Sequence, residues 1–356
     1  MTKKPCVLIT GAAGFIANAL IPKLRSDLPV IGIDSFTPDV HPLGMSSKSL
    51  LKVLYAGSVT DTSLLDHVLK EWHPESIYHL AAETGTGKSA SHQSLHVVSN
   101  VLGTSALLEA LERNQSFPKQ IVLTSSRAVY GDGLWIDNKD ECKYASPRTK
   151  ADLMVGNWNP RGSDGKELVK PLSNSTTQMP SPGNVYALTK LSQEKLVEFW
   201  CDRNDVAYKI LRLQNVYGPG QSPNNPYTGR VNIFSQVAFA KQPIDVYEDG
   251  NIVRDFVYID DVANALLQAT RNGDGLSNGY YDIGTGVQTT IHELALLIAE
   301  LEHSPKPRVS GKFRHGDVRS AFANPSTFPP GWQATTDLET GIRATLASLT
   351  SPSHLS

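Results

Sequence analysis

The chain has 356 residues, 40% of them hydrophobic, and a net charge of −2, as expected of an ordinary globular protein with room for roughly two domains. The small net charge gives no reason to expect nucleic acid or an anionic membrane as a partner, and no apolar run approaches the ~20 residues of a membrane span. Three widely spaced cysteines form neither a disulfide framework nor a zinc site, so they predict reduced thiols in a cytoplasm and no metal.

The first element is the continuous apolar run 5–10, which is too short for a signal peptide and predicts a strand buried on both faces. A glycine turn with Gly11 and Gly14 follows, and Ala17 stands in place of a third glycine at the start of a helical pattern. This order is typical of a dinucleotide site, where the pyrophosphate lies at the helix N-terminus. A second strand ends at Asp34, whose carboxylate suits the ribose hydroxyls of NAD and would repel the 2′-phosphate of NADP.

Strand and helix patterns then alternate along the chain. They lie in turn at about 52–56, 61–71, 76–82, 93–112 and 120–126. Repeated strand–helix units predict a Rossmann-type α/β fold with a doubly wound parallel sheet and right-handed crossovers. The helices at 93–112 and 186–203 are candidates for a dimer interface, although surface packing alone also explains their apolar positions.

Residues 82–89 nearly match a phosphate-binding P-loop, G-x-x-x-x-G-K-S, with Gly87 and Lys88 in place. However, Ala82 stands where the first glycine belongs, and the first strand of the domain already bears the dinucleotide turn. No clear Mg²⁺-binding aspartate follows an apolar strand to complete an NTPase site. We therefore expect this loop to border a cofactor and a substrate at the carboxyl edge of the sheet.

The strand 120–126 ends at the same edge with a run of hydroxyl side chains, among them Ser126. A hydroxyl there can hydrogen-bond a reacting oxygen, whereas a polar strand end without function is the competing interpretation. Residues 132–183 are rich in Asp, Asn, Pro, Gly, Ser and Lys and show little periodicity. That is long for a structureless loop, so we interpret it as an insertion or lid that the substrate partly orders.

Tyr186 and Lys190 follow this insertion in the segment YALTK, four residues apart and on one face of a predicted helix. A tyrosine is a poor base at neutral pH, but a neighbouring ammonium favours its phenolate. Such a tyrosine can remove a proton from a sugar or steroid hydroxyl. By itself the spacing is weak evidence, because it recurs by chance on many solvated helices.

The pattern changes after residue 215 to shorter elements. We divide the chain into an NAD-binding domain at 1–215 and a smaller α/β substrate-binding domain at 216–356, with some crossover between the two. Arg230, Arg254 and Arg314 in the second part are candidates for binding a diphosphate, since a guanidinium binds phosphate bidentately. For each arginine alone, a surface ion pair is the commoner explanation.

Nine motifs together resemble those of extended short-chain dehydrogenases/reductases, the nucleotide-sugar epimerases and dehydratases. In order they are TGAAGFI, Asp34, HLAA, SSRAVYG, YALTK, LRLQNVYGPG, VRDFVYIDD, YDIGTG and the R-x-G-D of Arg314–Asp317. The match covers nearly the whole chain. It resembles the nucleoside-diphosphate-sugar 4-epimerases most, particularly dTDP-L-rhamnose 4-epimerases (through SSRAVYG, the insertion and NPYTG), and next UDP-glucose 4-epimerases.

The resemblance implies a role for each matching residue. The catalytic residues it implies are Tyr186 as base, Lys190 as its partner and Ser126 at the sugar O4. The NAD-binding residues it implies are Gly11, Gly14, Phe15, Ile16, Asp34, Ser58, Val59, Leu80, Ala81 and Ala82, together with Tyr186 and Lys190. The substrate-binding residues we assign are Gly87, Lys88, Ser126, Asn215, Arg230, Tyr247, Arg254, Arg314 and Asp317.

Four positions depart from the family pattern. Ser58 replaces an aspartate that often binds adenine, and Thr84 replaces a lysine of the UDP-glucose enzymes. Asp282 replaces the usual asparagine of YNIGTG, and Ala321 stands where a bulky residue can narrow the sugar pocket, which predicts a roomier site.

Two further positions distinguish epimerases of the family from its dehydratases. Dehydratases of the family have an Asp-Glu pair after the Ser/Thr, and here those positions are Arg127 and Ala128. The resemblance therefore implies epimerisation at C4 of a nucleoside-diphosphate hexose, through a transient 4-keto sugar, by a cytoplasmic NAD-dependent homodimer of polysaccharide biosynthesis. Two alternatives stay open: a net nucleotide-sugar oxidoreductase and a non-catalytic NAD-binding module.

Overall fold

The fold is that of a computed structural model, which describes residues 3–24, 27–37, 48–222, 229–270 and 276–349. Residues 225–228 of the NPYTG motif and residue 271 of the helix expected at 261–271 lie outside these ranges. None of the described helices combines the length and the apolar character needed to cross a membrane.

The strands of the described residues are short, with two to eight residues each. In chain order they are β1 (Lys4–Thr10), β2 (Val30–Asp34), β3 (Val53–Ala56), β4 (Trp72–His79), β5 (Gln120–Ser126), β6 (Leu134–Asp137), β7 (Cys142–Tyr144), β8 (Leu168–Pro171), β9 (Ala207–Leu213), β10 (Asn215–Tyr217), β11 (Asp245–Val246), β12 (Val253–Arg254), β13 (Phe256–Tyr258), β14 (Gly279–Ile283), β15 (Thr289–Thr290), β16 (Arg308–Val309) and β17 (Ser320–Ala321).

The helices range from one turn to more than five turns. In chain order they are α1 (Phe15–Leu20), α2 (Thr62–Glu71), α3 (Thr86–Ser91), α4 (Gln93–His96), α5 (Gly103–Arg113), α6 (Lys150–Met154), α7 (Val185–Asn204), α8 (Arg230–Phe239), α9 (Ile259–Thr270), α10 (Ile291–Leu301) and α11 (Leu338–Leu349). A π-helical stretch, Val97–Leu102, joins α4 to α5.

Seven parallel strands form the central sheet, in the order β14-β9-β5-β4-β1-β2-β3. Its strands are apolar on both faces because helices cover both sides. Residues of α2, α5 and α7 pack into one buried cluster with the sheet, while α1 and α9 contribute to a second. The predicted doubly wound parallel sheet is confirmed.

Local sequence explains where the helices begin. The Asp61 side chain accepts a hydrogen bond from the Leu64 N–H at the start of α2, and Asn184 accepts one from Ala187 at the start of α7. These caps satisfy backbone donors that the first helical turn leaves free. The cap at Asn184 therefore fixes the start of the helix that contains Tyr186.

The insertion at 132–183 has its own structure. The strands β6, β7 and β8 form a three-stranded antiparallel sheet, and Trp135, Leu153 and Leu168 are buried. Its composition suggested a segment with little structure, but strands of three or four residues are too short to show a clear alternation. Its predicted function as a lid stays a prediction.

The region after residue 215 is not spatially separate from the central sheet. Strand β14 pairs with β9 at the sheet edge, and α9 packs on α1. The helices α8, α10 and α11 surround a third buried cluster next to the small sheets. The division at 215/216 stays a prediction of domain organisation.

Candidate active site

A cavity of about 350 Å³ lies at the carboxyl edge of the central sheet. Ser126 comes from the end of β5, the glycine turn follows β1, and Tyr186 lies in the first turn of α7. The carboxyl ends of parallel strands meet at one edge, which is where open α/β sheets bind ligands.

Most of the predicted site residues line this cavity. They are Gly11, Gly14, Phe15, Ile16, Leu80, Ala82, Ser126, Tyr186, Lys190, Asn215, Arg230, Arg254, Arg314 and Asp317. The predicted residues that do not line it are Asp34, Ser58, Val59, Ala81, Gly87, Lys88 and Tyr247. Ala321, which we expected to shape the sugar pocket, is buried in β17 and does not line it.

The glycine turn is tight for a physical reason. Gly11 has a φ of +71°, and a Cβ there would lie 2.7 Å from the Ala81 backbone nitrogen. Only glycine fits such a backbone without strain. Asp34 supports the turn by accepting a 2.9 Å hydrogen bond from the Ala13 N–H, a structural contact that the sequence analysis did not include.

Ser126, Tyr186 and Lys190, hereafter the hydroxyl cluster, meet in the cavity as predicted from the sequence. Burial raises the pKa of the Tyr186 phenol above its ordinary value, while a hydrogen bond with Ser126 and the charge of Arg127 act to lower it. The groups that act to lower the pKa of Tyr186 in this geometry are Ser126 and Arg127, and the expectation that Lys190 also lowers it stays a prediction.

The Lys190 ammonium belongs to a buried hydrogen-bond network. Its Nζ donates to Gln193 Oε1 at 2.7 Å, and Gln193 Nε2 donates to Thr104 Oγ1 at 2.8 Å. His79 lies between the hydroxyls of Thr104 and Thr10, at 2.8 and 2.7 Å. Burial lowers the pKa of Lys190 to about 7 and that of His79 to about 3. His79 is therefore neutral at physiological pH.

A second network lies behind the hydroxyl cluster and ties together the strands that present it. Arg212 on β9 forms a buried ion pair with Glu194 on α7 at 2.7 Å, and Glu194 also accepts from Ser125 on β5. Tyr130 donates to Asp282 on β14 at 2.8 Å. Asp282, which departs from the family pattern, is thus an internal hydrogen-bond acceptor away from the cavity lining.

Arg127, Arg230, Arg254 and Arg314 surround Asp317, and we call these five residues the arginine cluster. Burial acts to raise the pKa of the Asp317 carboxyl, but the positive charges outweigh it and lower that pKa. Arg230 contributes most of this charge effect, and a 2.8 Å ion pair joins it to Asp317. Arg254 is buried and donates to two backbone carbonyls, those of Val253 and Val318. The cluster makes one side of the cavity strongly positive, as binding of an anion requires.

The other predicted residues have different surroundings. Lys88 forms a 2.8 Å ion pair with Glu83, and Ser58 accepts a hydrogen bond from the Thr60 N–H in a local turn. Val59 is buried, and Gly87 is exposed in α3. The Tyr247 ring lies 5.6 Å from the Arg314 guanidinium, so it neighbours the arginine cluster.

Sequence reasoning missed Arg127 and Gln193 as site residues. Arg127 lines the cavity, and Gln193 is the partner of Lys190. The position of Arg127 directly after Ser126 was a usable signal, but it was read only as the loss of an acid. Gln193 lies three residues after Lys190 on the same helix, a spacing that brings side chains together.

Comparison with known proteins identifies the family. Residues 7–152 and 162–284 match the NAD dependent epimerase/dehydratase family. The chain is 41% identical over 346 residues to a dTDP-L-rhamnose 4-epimerase of Burkholderia thailandensis, covering 94% of this chain and 92% of that protein. It is 28% identical over 342 residues to a UDP-glucose 4-epimerase of Mycolicibacterium smegmatis, covering 95% and 96%.

The fold matches a solved structure of this type. The structure of a Thermotoga maritima UDP-glucose 4-epimerase with UDP-glucose superimposes with a TM-score of 0.76 at 27% identity, covering 96% of this chain and 98% of that one. The chain belongs to the NAD dependent epimerase/dehydratase family. The family resemblance and the NAD cofactor predicted from the sequence are thereby confirmed.

Proposed function

We propose that this protein is an NAD-dependent 4-epimerase of a nucleoside-diphosphate hexose, with a dTDP-L-rhamnose-like sugar or a UDP-sugar as substrate. One observation supports this most: a single cavity is lined by the hydroxyl cluster, the glycine turn and the arginine cluster. The 41% identity to a dTDP-L-rhamnose 4-epimerase favours the deoxyhexose over UDP-glucose.

The residues at the dinucleotide turn fit NAD. A side chain at Gly11 would fill the space against Ala81, and Gly14, Phe15 and Ile16 line the cavity beside the turn. We propose these residues, with Leu80 and Ala82, as the NAD site. The bound cofactor supplies the acceptor and later the donor of the sugar's C4 hydride.

The hydroxyl cluster performs the proton transfer in this proposal. Tyr186 removes the proton of the C4 hydroxyl as the sugar is oxidised, and Ser126 orients that oxygen through its own hydroxyl. Re-reduction on the opposite face of the 4-keto sugar inverts C4, and Tyr186 returns the proton. Because Arg127 and Ala128 carry no acid–base function, no proton is removed from a second sugar carbon.

The arginine cluster holds the diphosphate while the sugar turns. Arg230, Arg254 and Arg314 offer charged donors with a geometry that suits phosphate oxygens. Asn215 lines the same cavity and has an enclosed Oδ1 without a partner among the described residues. Fixing the nucleotide and releasing the sugar permits both faces of C4 to meet the same reacting groups.

The experiment is to incubate the protein with UDP-, dTDP-, GDP- and CDP-linked hexoses and follow the configuration at C4 by NMR. We expect interconversion of the C4 epimers of one nucleotide series, and loss of it in Tyr186→Phe. Absence of turnover on the whole panel would instead support the non-catalytic NAD-binding module.

The absorbance of NADH distinguishes a net oxidoreductase from an epimerase. An epimerase returns each hydride to its substrate, so no NADH accumulates in proportion to product. Stoichiometric release of NADH or of a 4-keto sugar would contradict the epimerase proposal and support the oxidoreductase.

We also propose that the protein is a homodimer through a surface formed by α4, the π-helical stretch Val97–Leu102 and α7. Large apolar side chains are exposed there, namely Leu95, Val98, Leu102, Leu188 and Phe199, which are 40–67% accessible. Exposed apolar side chains grouped on neighbouring helices are typical of a protein–protein interface. A cytoplasmic site and a function in polysaccharide biosynthesis are part of the same proposal, because nucleotide sugars are the activated donors of glycan assembly.

The dimer is tested by light scattering during gel filtration. The parent should elute with twice the chain mass, and Leu102→Glu combined with Phe199→Glu should elute with the mass of one chain. Phe239→Glu is the matched control, since Phe239 is 55% accessible on α8, outside this face. A monomeric parent would refute the proposal.

A further inference from the structure

Among the cavity arginines of the described residues, Arg127 is distinguished by an enclosed side-chain nitrogen without a hydrogen-bond partner. It begins the short helical turn after β5, directly after Ser126, and lines the cavity. Its Nη1 is fully enclosed and donates to no partner within the described residues. An enclosed polar atom without a partner is rare in folded proteins and calls for a ligand, a water or an ion.

The neighbours of Arg127 explain why it lacks a partner. Asp317 is paired with Arg230, and Asp132 accepts a 2.8 Å hydrogen bond from the Arg319 N–H. The four arginines of the arginine cluster thus share one carboxylate within it, and Asp132 is a further acid whose charge acts on Arg127. The arginine cluster therefore carries more positive than negative charge.

We propose that Arg127 is a further substrate-binding residue, which takes an oxygen of the sugar-linked phosphate of the nucleoside diphosphate. This deepens the proposed function and rests on it. Each phosphate of a pyrophosphate diester carries one negative charge, so the diphosphate supplies the charge that the arginine cluster lacks. A guanidinium meets such an anion with two parallel donors.

The placement of Arg127 selects the sugar-linked phosphate over the nucleoside-linked one. Its charge acts on both the Tyr186 phenol and the Asp317 carboxyl, and all three residues line the cavity. Tyr186 must touch the sugar at C4, whereas Asp317 lies among the other three arginines of the arginine cluster. A cavity residue whose charge acts on both groups is suited to the point where the sugar joins the diphosphate.

Equilibrium binding tests this without turnover. Titration calorimetry of the NAD-saturated protein compares UDP with UMP and dTDP with dTMP, because the monophosphates lack only the phosphate assigned to Arg127. For Arg127→Gln we expect the diphosphate Kd to rise about tenfold to a hundredfold, the usual effect of losing a charged hydrogen bond, with the monophosphate Kd unchanged. An unchanged monophosphate Kd would also show that the cavity of the variant is intact.

Two further variants complete the design. Arg127→Lys should keep part of the diphosphate affinity, since it retains the charge without the two-donor geometry. Arg343→Gln is the matched control, because that arginine is exposed on α11, outside the cavity lining, and pairs with Glu339. Equal diphosphate affinities in the parent and Arg127→Gln would overturn the proposal, as would an equal loss for mono- and diphosphates.

These outcomes are separable from those of the epimerase proposal. Selective loss of diphosphate binding in a protein that epimerises no sugar would support Arg127 and refute the epimerase. Epimerisation by the parent, together with unaltered diphosphate binding in Arg127→Gln, would support the epimerase and refute the assignment of Arg127.

Discussion

The hydroxyl cluster and the arginine cluster line one cavity but are built in opposite ways. Lys190 of the hydroxyl cluster has its partner in Gln193, and the network continues through Thr104 to His79. In the arginine cluster, four guanidinium groups surround Asp317, and Arg127 has an enclosed nitrogen without a partner in the part of the chain that the structure describes. Lys190 is thus paired within the protein, whereas Arg127 keeps a donor for the anion that we propose as its ligand.

The difference separates two physical requirements. Groups that react must be held in fixed geometry before the substrate arrives, since preorganised polar groups do not reorganise during the reaction. Groups that bind can keep unpaired charge, which the ligand then neutralises. The comparison predicts that changes in the hydroxyl cluster affect turnover, whereas changes in the arginine cluster affect binding.

The largest effect is expected from Tyr186→Phe, which removes the proton-accepting oxygen and keeps the ring. Turnover should fall by at least about a thousandfold, since a positioned acid–base group contributes roughly 10²–10⁴-fold. NAD content, measured on the denatured protein, should match the parent. Substantial residual epimerisation would show that another group moves the proton.

A smaller effect is expected from Arg314→Gln. Arg314 is exposed at the cavity and contacts the Tyr247 ring, so the substitution should raise KM about tenfold and leave kcat nearly unchanged. Steady-state kinetics against nucleotide-sugar concentration provides the measurement. A fall in kcat at unchanged KM would place Arg314 with the reacting groups.

Arg127→Gln tests the connection between the two clusters. The positive charge of Arg127 lowers the pKa of Tyr186, so its removal should raise that pKa further. Because Tyr186 reacts as phenolate, the acidic limb of the kcat–pH profile should move to higher pH. Arg314→Gln should leave the limb in place, since Arg314 does not act on the phenol; identical shifts in both variants would contradict this assignment.

A further effect concerns the free energy of unfolding. The pKa of Lys190 is lowered to about 7 from an ordinary value of 10.5, so between these values the unfolded chain binds more protons than the folded one. Its contribution to stability therefore rises with pH across that window, by up to about 1.4 kcal/mol per pH unit. Urea unfolding from pH 7 to 9 should show this slope in the parent and not in Lys190→Met. Parallel curves for the two proteins would rule it out.

Much of this arrangement could be predicted from local sequence. The run 5–10 and Gly11 predicted the first strand and its turn. Burial on both faces favours a continuous apolar run, and a positive φ favours glycine. The hydroxyl cluster was also predictable: Ser126 ends a parallel strand, and Tyr186 and Lys190 share one helix face.

The remainder depends on contacts between distant segments. Helical spacing places Lys190 near Tyr186 but does not show which way its ammonium turns, so Gln193 was missed as its partner. Burial, which raises the pKa of Tyr186, is a property of the assembled fold. Arg127 was noted only for the acid it replaces, because a single arginine does not reveal whether a carboxylate lies within reach.

The return of β14 to the central sheet has a consequence for the growing chain. Strand β9 ends at Leu213, but its outer neighbour β14 begins only at Gly279, some seventy residues later in the order of synthesis. Until then β9 is an unpaired edge, and α9 is not yet in place over α1. We therefore expect a fragment ending near residue 215 to aggregate, and the nascent protein to complete its first half only when most of its second half has left the ribosome.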